Sequence, residues 1–200
     1  MAQRQFHYEQ AFEHYLRANR IPYVAVDEAR KTLLPLGAAA GPDPADHSLK
    51  SFDFVVYQPG RNLLVDVKGR QFGSARAGTP LSNRRLESWV TRGDVEGLRT
   101  WQGLFGRGFQ GVFVFIYCLH QQPPDALFEE ILCYGGRWYV LREVTLDDYE
   151  RAMVQRSRKW GTVHLPRDAF ARVSRPFAIR DRAAAPVLAG RGPVSYPERR

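Results

Sequence analysis

An α/β fold with a mixed central sheet is predicted by three patterns in the sequence. The first is a helical pattern at the N-terminus, where aromatic and leucine side chains recur every three or four residues. The second is a pair of strand-turn-strand segments, one turning at Pro59-Gly60 and the other at Gly135-Gly136. The third is the unbroken apolar run from Val112 to Leu119, typical of a central buried strand. Helices and strands in this order favour an α/β sandwich around one sheet.

The individual elements follow from local signals along the chain. We expect a helix over 1–20, a strand over 21–26, a mobile loop over 37–46, a hairpin of 51–57 and 62–68, a flexible stretch over 69–86, a helix over 94–105, a strand over 112–119 and a second hairpin of 127–134 and 137–144. Thr145 is suited to cap a further helix, since Asp147 and Asp148 follow in its first turn. A short strand and a short helix are expected between residues 160 and 177.

The length of 200 residues suits a single domain with a tail. We expect the domain to cover residues 1–177, with the second hairpin and later helices as an elaboration of its core, and a basic, poorly ordered tail over 178–200. No apolar run approaches the roughly 20 residues that a membrane-spanning helix needs. No secretory signal is apparent, and Cys118 and Cys133 both lie in apolar segments. These features favour a cytoplasmic protein with two reduced core thiols and no membrane partner.

The positive charge of the chain is unevenly distributed. The formal net charge is +8, but residues 151–200 carry 12 Arg or Lys against 3 Asp or Glu, whereas residues 1–150 carry 17 against 18. A basic C-terminal quarter attracts polyanions such as nucleic acids. The alternative is a solvated tail that reflects a general preference for Arg, since 25 of the 29 basic residues are Arg.

Two carboxylates stand in strands that are otherwise apolar. Asp53 follows Phe52 and precedes Phe54, and Asp66 lies within Leu-Leu-Val-Asp-Val-Lys. Asp is disfavoured in strands, so both positions suggest a chemical role. Lys68 lies two residues after Asp66 and therefore on the same strand face. The alternatives are an Asp53 that is held by backbone amides near a turn and a surface ion pair between Asp66 and Lys68.

If the strands of the first hairpin pair, Asp53 lies near Asp66, and two converging carboxylates repel each other unless a cation lies between them. Oxygen ligands of this kind suit Mg²⁺ or Mn²⁺, which would polarise a phosphoryl oxygen and activate a water. Lys68 would position that water or stabilise developing charge, with a pKa that falls if the amine is desolvated. A glutamate of the first helix would complete the site. Glu9 and Glu13 lie four residues apart on one helix face, and either could instead be solvated.

Asp53, Asp66-Val67-Lys68 and a preceding helix with Glu9 together resemble the PD-(D/E)XK nuclease superfamily. The resemblance covers about residues 7–118 and implies a restriction-endonuclease-like fold with an αβββαβ core. It implies that Glu9, Asp53 and Asp66 are metal ligands and that Lys68 is the catalytic lysine. Phe52 replaces the Pro of the eponymous motif, and no clear Gln-x-x-x-Tyr element follows, since Gln102 is the nearest glutamine.

The segment from His7 to Glu13, His-Tyr-Glu-Gln-Ala-Phe-Glu, is also similar to the signature of the HYExAFE family of largely uncharacterised proteins. We expect that similarity to extend to about residue 177.

The resemblance implies a metal-dependent, endonuclease-like hydrolase of DNA phosphodiester bonds, with RNA and a homodimer left open. Arg70 follows Lys68 closely and is a candidate phosphate contact, and Arg84 and Arg85 are candidates to line a nucleic-acid groove. Two other functions fit the same residues. One is a nucleic-acid-binding protein with little or no hydrolysis, because a fold does not determine a function. The other is a structural protein whose acidic cluster binds a cation for stability.

Overall fold

The computed structural model describes residues 3–26, 50–71 and 85–178. The expected loop over 37–46 and, apart from residue 178, the expected tail lie outside these ranges. The helices are α1 (Gln3–Ala18), α2 (Arg92–Phe105), α3 (Leu146–Ala152) and α4 (Arg167–Val173). The strands are β1 (Tyr23–Ala25), β2 (Phe54–Gln58), β3 (Arg61–Gln71), β4 (Val90–Thr91), β5 (Phe109–Leu119), β6 (Glu130–Tyr134), β7 (Arg137–Thr145), β8 (Val154–Ser157), β9 (Thr162–His164) and β10 (Arg175–Pro176).

Seven strands form a mixed sheet in the order β1-β2-β3-β5-β7-β10, with β6 also paired to β7. β3 and β5 run parallel, connected through α2, and the other pairs are antiparallel. The chain order α1-β1-β2-β3-α2-β5 confirms the expected αβββαβ core and mixed sheet. The two-residue β4 lies between β3 and α2 in the chain but belongs to a second sheet.

The first hairpin has the register that the sequence predicts. Gln58 pairs with Arg61 across the Pro59-Gly60 turn, and Phe54 pairs with Val65 at the other end. Gly60 has a positive φ of 75°, a conformation that glycine adopts at little cost. This register brings the residue before Phe54 next to the strand position that follows Val65.

Each face of the sheet packs against its own hydrophobic core. Leu63, Val65 and Val67 of β3 belong to the core beneath α1, together with Phe12 and Leu16 of that helix. Leu64 of β3 belongs to the core on the opposite face, which α2, α3 and α4 cover. Because side chains alternate along a strand, Asp66 and Lys68 lie on the face of Leu64.

Three features differ from the sequence-based expectation. A second sheet, in the order β4-β9-β8, contains two strands that the sequence pattern did not predict, because two and four residues are too short to show a period. Strand β6 begins only at Glu130, since a short 3₁₀ turn occupies Ala126–Phe128. Cys118 is buried, but Cys133 is exposed and is not a core thiol. None of the helices in the described residues is long and apolar enough to cross a membrane.

Candidate active site

Asp66 and Lys68 form a buried ion pair in the middle of β3. The Lys68 Nζ lies 2.9 Å from Asp66 Oδ2, and the side chains of Lys68 and Asp66 are only 17% and 7% exposed, respectively. They share a face because they lie two residues apart on a strand, and that face is covered by α2. The alternative interpretation of a surface ion pair is therefore wrong.

Asp53 extends the pairing of β2 with β3 by one position. Its backbone N–H donates to the carbonyl oxygen of Val65 over 2.8 Å. Its side-chain Oδ2 accepts the N–H of Val67 over 2.7 Å, at a position of β3 that lies beyond the end of β2. One oxygen of the Asp53 carboxylate is thus bound by a backbone amide, as the alternative interpretation of Asp53 predicted. The same contact fixes the side chain of Asp53 beside Asp66.

Asp94 is a third carboxylate of this cluster, and the sequence pattern did not single it out. It is the third residue of α2, where it forms a reciprocal capping box with Thr91. Its Oδ2 lies 3.5 Å from the Nζ of Lys68, and its Oδ1 accepts a hydrogen bond from Lys50 over 3.0 Å. The Thr-x-x-Asp spacing is a visible signal, but it indicates a helix start and does not reveal what lies opposite the cap.

The electrostatics of the cluster show an excess of negative charge. Burial raises the pKa of Asp66, the Lys68 ammonium lowers it, and the charges of Asp53 and Asp94 raise it, so that the pKa reaches about 7. Burial lowers the pKa of Lys68, but the charges of Asp66 and Asp94 outweigh burial and raise the pKa above its ordinary value. The expected fall of the Lys68 pKa is therefore reversed. Lys68 is a permanent cation at neutral pH and a hydrogen-bond donor, not a base.

The two glutamates of α1 are placed differently. The Oε1 of Glu13 accepts hydrogen bonds from Arg17 and from the hydroxyl of Tyr23, each over 2.7 Å, and so links the end of α1 to β1. Glu9 follows Tyr8, whose ring packs so closely on Gly69 of β3 that any Cβ there would overlap it. This contact holds the Glu9 turn of α1 against β3, on the sheet face opposite Asp66. The carboxylates that raise the pKa of Asp66 most are Asp53 and Asp94.

The three arginines predicted to bind nucleic acid have separate environments. The guanidinium of Arg70 lies 4.1 Å from the centre of the Trp89 ring and donates to the carbonyl oxygens of Gly69 and Trp89. Burial lowers its pKa. Arg85 is exposed, and Arg84 lies outside the described residues. The structure therefore gives Arg70 an internal packing role, which does not itself test a phosphate contact.

Gln102 has a role in packing α2 against the sheet. Its Oε1 accepts the N–H of Gly111 over 2.6 Å, at the start of β5. Gly106, which stands where a Tyr would complete a Gln-x-x-x-Tyr element, is the C-cap of α2. These contacts account for both residues without a role in the site.

The chemistry of the carboxylates decides which ion they could hold. Among residues 3–26, 50–71 and 85–178, no group of three or more His, Cys, Asp or Glu side chains is arranged to hold a metal ion. Mg²⁺ does not require such a group, because it is usually bound through one or two carboxylates and keeps several waters. Asp53 and Asp66 suit this mode in their chemistry, since they are hard oxygen donors in a cluster whose negative charge raises the pKa of Asp66.

Comparison with known proteins gave a structural similarity. No family model matches the chain, and no curated protein matches it. Among solved structures, the chain is similar to Hjc, a Holliday junction resolvase from Archaeoglobus fulgidus, with 14% identity and a TM-score of 0.45 over 84% of this chain and 93% of the resolvase. At this level of similarity, the strand order and register of the chain itself define its fold class.

Proposed function

We propose that the protein is a metal-dependent nuclease that hydrolyses phosphodiester bonds of DNA. The observation that carries the proposal is the buried, acid-rich cluster of Asp53, Asp66 and Asp94 around Lys68. A cluster in which burial and like charges raise the pKa of a carboxylate to about 7 is costly for a fold and is typical of functional sites. The αβββαβ order and the Asp66-Val67-Lys68 motif support the same function through the resemblance to PD-(D/E)XK nucleases.

In this proposal Asp66 and Asp53 hold the ion, and the Glu9 ligand that the resemblance implies is not included, because the Glu9 turn of α1 packs on the opposite face of the sheet. A bound Mg²⁺ or Mn²⁺ would supply a polarised phosphoryl oxygen and a bound water of lowered pKa. Asp53 contributes through the carboxylate that the Val67 amide orients. Its fixed orientation matters because catalytic groups act only when they are held in the productive geometry.

Lys68 acts as a fixed cation. Its ammonium is held between Asp66 and Asp94, at 2.9 Å and 3.5 Å, and therefore has little freedom to turn away from the site. A positive charge held in a largely buried site stabilises the negative charge that develops on the phosphate during hydrolysis. Asp94 positions Lys68 from the N-terminus of α2, and Lys50 holds Asp94 from the solvent side.

The decisive experiment separates the site from the fold with an Asp66→Asn variant. We expect calorimetric titration with Mg²⁺ or Mn²⁺ to show binding to the wild type and none to the variant, and we expect the variant to lose DNA cleavage. Asp168→Asn is the matched control, because Asp168 is an exposed carboxylate in the first turn of α4. An unchanged metal affinity of Asp66→Asn would refute the assignment of the ligands.

A nucleic-acid-binding protein without hydrolysis is the second candidate function. It is favoured by one observation, that Lys68 already supplies a cation to Asp66 within hydrogen-bonding distance. This candidate function predicts that the protein binds DNA. It also predicts that calorimetric titration shows no metal binding and that DNA is not cleaved in the presence of Mg²⁺ or Mn²⁺. A preparation that binds Mg²⁺ and cleaves linear, single-stranded or branched DNA would exclude it.

A further inference from the structure

The turn between β8 and β9 exposes a group of cations and one tryptophan. Arg156, Arg158, Lys159 and Trp160 are all exposed in this hairpin or at its edge. Trp160 is 72% exposed, so its indole does not pack in the core. Burying an indole stabilises a fold, and an indole left in water on a hairpin turn is therefore a candidate for contact with a partner.

The charge around this turn selects the kind of partner. Residues 154–164, which form β8, β9 and their turn, contain three Arg or Lys and no Asp or Glu. Arg156 is paired with Glu87 at 3.6 Å, but within the described residues no carboxylate pairs with Arg158 or Lys159. The ammonium of Lys159 lies 5.5 Å from the centre of the Trp160 ring. A cationic surface with an exposed aromatic ring complements a polyanion that carries flat rings, which is a nucleic acid.

A backbone hydrogen bond links the hairpin to the start of α2, the helix that carries Asp94 of the candidate active site. The carbonyl oxygen of Gly161, at the end of the turn, accepts the N–H of Arg92 over 2.8 Å. Arg92 is the first residue of α2, and Asp94, two residues later, lies 3.5 Å from Lys68 through its carboxylate. A strand of nucleic acid that follows the hairpin turn would therefore pass close to the site.

We propose that the Arg156–Trp160 turn binds single-stranded DNA, with Trp160 stacked on an unpaired base and with Arg158 and Lys159 on the flanking phosphates. The proposal rests on the proposed function in that it names the form of DNA presented to the site. Single strands are favoured because the bases of a duplex already stack on one another, and an indole reaches them only after they are unstacked. A single strand exposes base faces that aromatic side chains bind without regard to sequence.

Binding in EDTA tests the proposal without any contribution from hydrolysis. The full chain is titrated into a fluorescent single-stranded oligonucleotide and into the duplex of the same length, with anisotropy as the readout. We expect Trp160→Ala to weaken single-strand binding about 5- to 150-fold, which corresponds to the removal of one stacking platform. Trp160→Phe should recover part of this affinity, and duplex binding should change little.

Two matched controls and one double variant complete the test. Leu127→Ala removes a side chain that is 93% exposed and lies outside the hairpin, and we expect it to leave both affinities unchanged. The double variant Arg158→Ala/Lys159→Ala should reduce the salt dependence on single strands by about 1.4 in the slope of log affinity against log salt, as expected for two phosphates. Arg20→Ala, at an exposed arginine after α1, should leave the slope unchanged.

The outcomes that overturn the proposal are distinct from failure of the nuclease assignment. Absence of DNA binding in EDTA, or an equal loss on single strands and duplex after Trp160→Ala, would overturn it even if the protein cleaves DNA. A change from dimer to monomer in Trp160→Ala by sedimentation, with DNA affinity unchanged, would also overturn it and would show that the surface binds a second copy of the chain. Selective loss of single-strand affinity supports the proposal even if no cleavage is found.

Discussion

Two clusters of charged side chains lie on opposite faces of the central sheet, and they differ in charge balance. Strand alternation places Glu143 on the face of Leu141, beneath α1. Arg61 donates to both oxygens of Glu143 over 2.8 Å and 3.0 Å, and Arg175 donates over 2.6 Å. On the other face, Lys68 contacts the carboxylates of both Asp66 and Asp94, and Asp53 lies near Asp66.

The difference is the one we expect between a cluster that stabilises the fold and a cluster that serves the proposed function. In the first, two guanidinium groups surround one carboxylate and tie β3, β7 and β10 together, so the buried charge is compensated. In the second, the carboxylates outnumber the buried cation and the pKa of Asp66 is raised to about 7. The fold tolerates this imbalance although it costs stability, which is the expected pattern at a site that binds an added cation.

The largest effect is expected for Lys68→Ala, which removes the buried cation of the acid-rich cluster. We expect the cleavage rate to fall about 10²- to 10⁴-fold, within the range of single catalytic groups, with metal binding and DNA affinity retained. The reason is that a cation at this position acts mainly on charge that develops in the transition state. Single-turnover rates with saturating DNA would measure the effect.

Lys50→Ala is the matched control for Lys68→Ala. Lys50 also bonds Asp94, but its side chain is half exposed, so that water replaces its charge. We expect only a small change in rate. If Lys68→Ala instead abolished DNA affinity and left turnover of bound DNA intact, Lys68 would be a phosphate anchor and not a catalytic group.

In the cluster of Glu143, Arg61 and Arg175, we expect a substitution to lower stability and to leave the cleavage rate unchanged. Glu143→Gln removes the charge that compensates Arg61, whose side chain is only 11% exposed. We expect a loss of about 3 kcal/mol in the free energy of unfolding, since removing one partner leaves a buried charge uncompensated. Urea unfolding followed by circular dichroism would measure it. Rates per folded molecule should be unchanged, and a stability equal to that of the wild type would refute the structural role.

The stability cost of the buried Asp66 carboxylate depends on pH. Asp66 ionises near pH 4 when unfolded and near pH 7 when folded, so the folded state binds more protons between these values. The contribution of Asp66 to stability in EDTA should therefore fall as the pH rises from 4 to 7 and level off above 7. Asp66→Asn lacks this loss and should become the more stable protein above pH 7.

Thermal melts of both proteins in EDTA across this range would measure the difference. Each 1 kcal/mol corresponds to roughly 2–4 °C in melting temperature for a chain of this size. A wild type that remains as stable as Asp66→Asn at pH 8 would show that burial of Asp66 is not costly.

The sequence was sufficient to predict that the strand residues of the candidate site lie together. Asp53, Asp66 and Lys68 were found because charged residues in apolar strands contradict local propensity, and such conflicts are concentrated at functional sites. The hairpin register then follows from the Pro59-Gly60 turn. The αβββαβ order was predictable for the same reason, since its elements have clear periodicity.

The remainder depends on tertiary packing that no local pattern encodes. Asp94 is fully explained locally as a capping residue, so nothing in the sequence reveals that its carboxylate faces Lys68. The internal position of Arg70 depends on the ring of Trp89, nineteen residues away. Trp160 lies in a segment without periodicity, and its exposure is visible only once β8 and β9 pair.

The smallest expected effect concerns the C-terminal segment. An acid-rich cluster repels phosphate before a cation is bound, so the proposed function requires basic groups elsewhere to attract the DNA. Residues 179–200 carry five Arg against two acidic residues and are one source of such charge. The proper truncation ends at residue 178, because Phe177 is fully buried and its carbonyl oxygen accepts the hydroxyl of Tyr15 over 2.9 Å. Such a variant should retain the fold and the metal affinity.

We expect the truncated chain to bind duplex DNA more weakly and with a flatter salt dependence. Each phosphate that the shortened chain no longer neutralises should reduce the slope of log affinity against log salt by roughly 0.9. The matched comparison is Arg158→Ala/Lys159→Ala, which removes charge from the hairpin and leaves the C-terminal segment intact. If the two segments neutralise different phosphates of the same DNA, their effects on the slope should add, because each neutralised phosphate contributes separately. Equal slopes for the full-length and truncated chains would show that the C-terminal arginines do not contact the DNA. The β8–β9 hairpin and the arginines between residues 70 and 107 would then have to supply the attraction that the acidic site lacks.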